Sequence, residues 1–388
     1  MTLLHCSWRS WRLPWGSVSR RLCNLQNGSV ARQRTWLALG IGLALSLTTL
    51  EAMARPVTDM LGRTVEVPER IDRVIGAAPP VTALLYALAP EHVVGLNMPF
   101  LPGDERFVGA RLPALPVVGG ILGHGRRMQP EAILELRPDI ALSWAGAAVP
   151  VASIDETIRF FEQVGVPVLF VRLDTLTDWP AAFEFVGRLL GRQPRAAELG
   201  AVITDALTRV GQAVADVPQA ERKRVYYAEG VDGLATECHG SFHVEPIDLA
   251  GGYNVHRCTP SSYVGMEKVS LEQVLAYDPE VILVQDAGFL SRLDEHGPWR
   301  RVRAVRDGQV LRVPQSPLNW LDRPPSFMRA LGIQWLAHAL YPERFPFEVQ
   351  SATRDFYARF FGVALDNADL ERLLDATASP GPSHQHHH

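Results

Sequence analysis

The segment with the richest metal-binding chemistry is 237–245, which reads ECHGSFHVE. It holds two imidazoles four residues apart, His239 and His243, together with the thiol of Cys238 and two carboxylates. Imidazole is a suitable ligand for iron, nickel and zinc. These side chains could therefore bind a transition metal directly, or complete the coordination of a metal that a chelator already holds. The alternative is that the histidines lie on a loop and contact only solvent.

A second set of side chains is predicted at strand ends, where a ligand could be held. Aromatic rings could stack on the face of a planar chelate, and a guanidinium could bind an oxyanion with two hydrogen bonds. Packing under a loop, or a surface ion pair, would explain the same residues without any ligand. The first half of the chain contributes Pro80, Asn97 and Trp144, and the second half contributes Tyr227, Trp320 and Arg323.

Two of the four cysteines, Cys238 and Cys258, follow the N-terminal leader and stand 20 residues apart. In an oxidising compartment such a pair could form a disulfide, although the spacing alone leaves this open. The C-terminal His384 and 386–388 could bind a metal adventitiously, and no function is assigned to them.

An export signal is predicted ahead of these residues. The uncharged run 36–50 reads WLALGIGLALSLTTL, follows two arginines and precedes Ala52-Met53-Ala54, which favours cleavage after Ala54. A membrane anchor, the alternative, needs about 20 apolar residues, and this run is shorter. Residues 1–29 do not fit a signal, so translation is predicted to start near Val30.

The whole-chain composition is that of a soluble globular protein, with 47% hydrophobic and 21% charged residues. A length of 388 residues allows two domains. The net charge of −4 gives no basic surface for nucleic acid. The sequence contains neither an HExxH zinc-protease motif nor a GxSxG nucleophile motif, which argues against an enzyme.

An internal repeat predicts two similarly built halves. QPEAILELRPDIALSW begins at Gln129 and SLEQVLAYDPEVILVQ begins at Ser270. Each has helical apolar spacing, then proline and an acidic residue, then a β-rich run. Between the repeats, 178–215 has apolar residues at helical spacing and predicts a long helical connection, with a break at Pro194.

Together these segments resemble iron-chelate and cobalamin periplasmic binding proteins of ABC importers, the helix-bridged class. The resemblance is carried by TDMLGRTVEVPERIDRVIGAAPPVTALLYAL, VSLEQVLAYDPEVILV and DRPPSFMRALGIQWLAHALYPE, in family order over most of 57–373. It implies an α/β fold of two similar lobes joined by a long rigid helix, with a ligand cleft between the lobes. It further implies that the protein binds no permanent cofactor and delivers its ligand to a permease dimer with a cytoplasmic ATPase. A monomer is expected, because a two-lobed capture protein needs its cleft and docking face free.

On this basis we expect a leader and signal at 1–54, an N-terminal lobe at 55–177 and a bridging helix at 178–217. A C-terminal lobe follows at 218–375, then a disordered tail at 376–388, and the family domain is expected at about 71–348. The resemblance also gives Glu131 and Glu272 a role, since one acidic residue on each lobe docks on permease arginines in this family. A first-turn glutamate without any docking role is the alternative.

The ligand is less closely specified than the fold. A ferric siderophore or haem-like chelate is the first expectation, followed by cobalamin, then a nickel chelate or molybdate. Because chelatases share a related two-lobed architecture, a chelatase-like enzyme is the alternative from another functional class.

Overall fold

A computed structural model describes residues 54–374, except 123–124, 148, 261–263 and 294–296. The predicted leader, export signal and tail therefore lie outside the described residues, apart from Ala54 at the proposed cleavage point. No helix within the described part of the chain is long and apolar enough to cross a membrane.

The described chain opens with an antiparallel hairpin of β1 (Ala54–Thr58) and β2 (Thr64–Pro68). The first parallel sheet follows, in the order β3 (Val74–Gly76), β4 (Ile140–Ala145) and β5 (Val168–Arg172). All six residues of β4 are buried, as expected for a strand that is covered on both faces. The helices of this half are α1 (Pro79–Leu88), α2 (Glu105–Val108), α3 (Pro130–Leu136) and α4 (Val151–Gln163).

The connection between the halves is helical, as the apolar spacing predicted. It consists of two helices, α5 (Trp179–Leu189) and α6 (Gln193–Val214), rather than one. The break falls just before Pro194, at Gly191, whose φ of 67° is accessible to glycine at little cost. Pro194 then occupies the first turn of α6, where its missing N–H removes no helical hydrogen bond.

The strands of the second half are β6 (Arg224–Ala228), β7 (Ala235–Thr236), β8 (Tyr253–Asn254), β9 (Glu267–Lys268), β10 (Val281–Val284) and β11 (Val310–Arg312). They form a parallel sheet in the order β11-β10-β6-β8 and a short antiparallel pair of β7 and β9. The helices of this half are α7 (Glu245–Leu249), α8 (Leu271–Tyr277) and α9 (Arg303–Arg306), followed by α10 (Arg329–Leu340), α11 (Val349–Phe361) and α12 (Asn367–Leu374). Short 3-10 turns occur at Pro90–His92, Leu176–Asp178, Gln219–Glu221, Ala287–Arg292 and Pro298–Arg301.

The sequence repeat corresponds to a repeated structural unit. Helix α3 precedes β4 in the first half, and α8 precedes β10 in the second. Arg73 Nε donates to Leu136 O at 3.2 Å, and Arg224 Nε donates to Tyr277 O at 3.1 Å. In both halves an arginine therefore binds a terminal carbonyl of the repeated helix, where a cation also complements the helix dipole.

The acidic residue after each repeated proline completes this unit. Asp139 Oδ2 accepts from the backbone N–H of Arg73 at 2.8 Å, and Glu280 Oε2 accepts from that of Arg224 at 3.1 Å. In each half this hydrogen bond attaches the start of one strand, β3 or β6, to the loop that leads into the neighbouring strand, β4 or β10. The two similar α/β halves predicted from the repeat are confirmed, whereas the lobe boundaries stay predictions.

Candidate functional site

A cavity of about 310 Å³ lies between residues of the two halves. The first half supplies Pro79, Pro80, Met98, Leu122 and Trp144. The second half supplies Phe242, His243, Val264, Met266, Gln285, Arg323, Pro324 and Pro325. Four of the residues predicted from the sequence line this cavity, namely Pro80, Trp144, His243 and Arg323.

The first-half wall is apolar, and its residues come from the start of a helix and from near the end of a strand. Pro79 and Pro80 form the first turn of α1, where proline fits without loss of a hydrogen bond. Trp144 lies near the end of β4 and is 4% exposed. Its ring meets Phe242 of the second half edge to face, with centroids 5.4 Å apart. This aromatic contact closes one side of the cavity.

The second-half wall contains Arg323, which is held by two carboxylates. Its guanidinium donates to Glu229 and Glu237, and also to Val264 O at 3.3 Å. Burial acts to lower the pKa of Arg323, but the surrounding carboxylates raise it above its ordinary value. Burial raises the pKa of Glu229 to about 8, because it outweighs the attraction of Arg323. Arg323 therefore stays charged, and Glu229 binds a proton over much of the neutral range.

His243 is paired with a fully buried carboxylate. Its Nδ1 lies 2.6 Å from Asp322 Oδ2. Burial opposes the charged form of His243, yet Asp322 raises its pKa above the ordinary value. Burial likewise acts to raise the pKa of Asp322, but His243 and Arg329 hold it below the ordinary value. The geometry therefore favours an imidazolium–carboxylate pair.

Arg329 positions both parts of this wall. It is 1% exposed and donates to Asp322 Oδ1 at 3.0 Å and to Phe242 O at 2.8 Å. It also reaches Glu245 at 3.1 Å, and Glu245 in turn accepts from the backbone N–H of Leu176. One buried guanidinium thus connects the segment that carries His243 with the segment that carries Arg323.

Four predicted ligand contacts are not on the cavity wall among the described residues. The Asn97 amide donates to Gly76 O and Gly119 O, so it ties two loops together. Trp320 is fully buried, and its Nε1 donates to Tyr357 Oη at 3.2 Å. Tyr227 is 1% exposed within β6. His239 is not among the described wall residues, and its backbone N–H donates to His256 O at 2.9 Å.

A disulfide joins Cys238 to Cys258 next to this wall. His256 lies beside it, and the two sulfurs and one ring nitrogen all lie within 4.8 Å of one another. His256 was not among the residues predicted from the sequence. Its position two residues before Cys258 was the available signal.

The two predicted docking residues lie in equivalent exposed positions. Glu131 is in the first turn of α3 and Glu272 is in the first turn of α8. Hydrogen bonds from its own backbone N–H and from Ser270 lower the pKa of Glu272, so its carboxylate is charged.

The comparisons with known proteins agree with this architecture. A family model described as periplasmic binding protein matches residues 120–317. An ABC transporter solute binding protein from Sulfurospirillum deleyianum superposes with a TM-score of 0.77 and 38% identity, covering 83% of this chain and 99% of that one. The chain belongs to the periplasmic binding protein family.

Curated relatives of this family member differ in the ligand that their names give. The molybdate-binding protein MolA of Haemophilus influenzae is 27% identical over 361 residues, covering 85% of this chain and 98% of its own. The vitamin B12-binding protein of Salmonella typhimurium is 27% identical over 199 residues, covering 50% and 67%. These relatives are binding proteins of transporters and not enzymes, so the expected solute-binding role in an ABC importer is confirmed and a chelatase-like enzyme is not supported.

Proposed function

We propose that this solute-binding protein captures a compact metal chelate, a ferric siderophore or a haem-like complex, and delivers it to the permease. The apolar wall of the cavity carries this proposal, with Trp144 and Phe242 in contact across the two halves. Aromatic and aliphatic walls with few polar groups suit the organic shell of a chelate. A bare oxyanion would instead need several donors arranged around it.

The charge on the wall favours the same ligand class. Of the described wall residues, only His243 and Arg323 have ionisable side chains. The Arg323 guanidinium is hydrogen-bonded to Glu229 and paired with the carboxylate of Glu237, which leaves little net charge for an oxyanion. Because pairing with Asp322 raises the pKa of His243 and so favours its protonated form, we assign it to an anionic oxygen of the chelate rather than to the metal.

The volume of the cavity distinguishes among the candidate chelates. A volume of about 310 Å³ lies at the lower end of the roughly 300–1,000 Å³ typical of ligand pockets. A compact chelate therefore fits better than cobalamin, although relatives named for vitamin B12 keep cobalamin in the test panel. Molybdate is the second candidate, because the relative named for it aligns over 98% of its own length.

Delivery requires export and docking. The family is periplasmic, and we propose export through a signal cleaved after Ala54, which is the first residue of β1. We assign permease docking to Glu131 and Glu272, which are exposed on the repeated helices of the two halves. A monomer would leave both the cavity and this docking face accessible.

Thermal unfolding of the mature chain with a ligand panel tests the proposal. The panel contains ferric siderophores, haem, cobalamin, a nickel–histidine complex and molybdate. A ligand that binds only the folded state adds about 2.7 kcal/mol of stability at a hundred times its Kd. A shift with a ferric siderophore or haem is expected, and His243→Gln should reduce it while His338→Gln should not. A shift with molybdate alone would overturn the proposal.

A further inference from the structure

The disulfide beside the cavity lies in a group of three metal-binding side chains. Cys238 is 1% exposed, whereas Cys258 and His256 are partly exposed. Their two sulfurs and one imidazole nitrogen all lie within 4.8 Å of one another, which is close enough for one ion to contact all three after small side-chain movements. This group is separate from the cavity, where His243 lies.

A neighbouring hydroxyl orients the imidazole of this group. His256 Nδ1 lies 2.9 Å from Tyr277 Oη, at the last residue of α8. Histidines that bind metals usually have their second ring nitrogen fixed by such a hydrogen bond. The Tyr277 hydroxyl therefore leaves Nε2 of His256 as the nitrogen that would bind an ion.

We infer that Cys238, Cys258 and His256 form a binding site for a thiophilic divalent cation, of the zinc or cobalt type, when the disulfide is reduced. Two thiolates and one imidazole are a ligand set that zinc accepts, with the fourth position open to water. The disulfide and the metal are mutually exclusive, because a disulfide sulfur is not a thiolate ligand. The two states are thus alternative cross-links between the same residues.

The chemistry of the change balances with a dithiol as reductant. The dithiol transfers two electrons and two protons to the Sγ–Sγ bond, which breaks to give two thiols, while the dithiol becomes a disulfide. Binding of the cation then releases the thiol protons to solvent, because the ligand is the thiolate.

The location of the site connects it to the cavity wall. Glu237, next to Cys238, pairs with Arg323 of the wall. Its Oε1 also accepts from the backbone N–H of Met266, another wall residue, at 2.8 Å. Loss of both cross-links should therefore loosen the segment that carries Met266.

Cobalt binding by the full mature chain tests the inference directly. The protein is reduced with dithiothreitol, desalted without oxygen and titrated with Co²⁺. We expect thiolate-to-cobalt charge-transfer absorption in the near ultraviolet and tetrahedral bands in the visible, both abolished by Cys258→Ser. His256→Gln should weaken Co²⁺ binding by at least about tenfold, and His338→Gln, the matched control, should leave it unchanged.

Thermal unfolding supplies an independent readout. Zn²⁺ should raise the midpoint of the reduced protein but not that of the oxidised protein or of the Cys258→Ser variant. The inference is overturned if the reduced protein lacks the thiolate absorption, if the oxidised protein binds Co²⁺ equally well, or if His256→Gln binds like the unchanged chain.

Discussion

The outer ends of the two halves are alike, whereas their cavity walls differ. Outside, Arg73 and Arg224 make the same helix-end contact in each half. Inside, the first half presents only apolar side chains, and the second presents His243 and Arg323 with buried carboxylates behind them. The repeat therefore fixes the scaffold and the equivalent positions of Glu131 and Glu272, the two proposed docking residues. We expect ligand choice to depend on the wall residues, which the repeat does not share.

The largest expected effect comes from the buried ion pairs of the second-half wall, here called the ionic wall, which join Asp322 to His243 and Arg329 and join Arg323 to its two glutamates. Arg329→Met should cost about 3–5 kcal/mol of unfolding free energy, because it leaves Asp322 buried without one of its charged partners. Urea denaturation measures the change. Arg344→Met is the control, since the exposed pair of Arg344 with Asp216 should contribute at most about 1 kcal/mol. Equal losses of unfolding free energy in the two variants would show that the buried ion pair contributes no more stability than the exposed one.

The ionic wall should also set the pH dependence of stability. The pKa of Glu229 is raised in the folded state to about 8, so the folded chain binds more protons than the unfolded chain between about pH 4.5 and 8. Stability should fall as pH rises through this window, and the raised pKa of His243 acts in the same direction. Glu229→Gln should remove about 3–4 kcal/mol of this fall, measured by urea denaturation at pH 5 and pH 8. An unchanged pH profile of stability would show that Glu229 does not bind the proton responsible for this fall.

The contact between the two walls is expected to have a smaller effect. A double-mutant cycle of Trp144→Leu and Phe242→Leu should give a coupling energy of about 0.5–1.5 kcal/mol in unfolding free energy. Zero coupling would mean that the two rings close the cavity without stabilising each other.

The smallest effect on the cavity should come from the outer surface. Glu131→Ala combined with Glu272→Ala should leave the ligand Kd within about twofold, because neither residue lines the cavity. Uptake in cells should nevertheless be abolished if these residues dock on the permease. Normal uptake, or a large loss of affinity, would contradict the separation between docking surface and cavity.

The sequence predicted the scaffold well because its signals are local. Helical spacing, a proline and an apolar run lie next to one another in 129–144 and 270–285, and each forms the helix and strand expected. The break in the connection is also local, and it falls at Gly191 because α6 begins close to Pro194.

The site was predicted only in part, because side-chain direction depends on tertiary contacts. Residues four apart share a face in a helix or a strand, but 239–243 forms neither, since α7 begins only at Glu245. Of the two imidazoles, only that of His243 lines the cavity among the described residues. Asp322 and Arg329 were missed because nothing in a local pattern reveals which charges will be buried together.

The packed helical connection has a kinetic consequence. Helices α5 and α6 share one hydrophobic core with α1 and α10, so large excursions of the halves would unpack buried residues such as Trp179 and Leu199. The cavity is then largely preformed, and ligands should associate at similar rates. Discrimination among cargoes should appear as differences in residence time, and rapid unloading would require the permease to strain this connection.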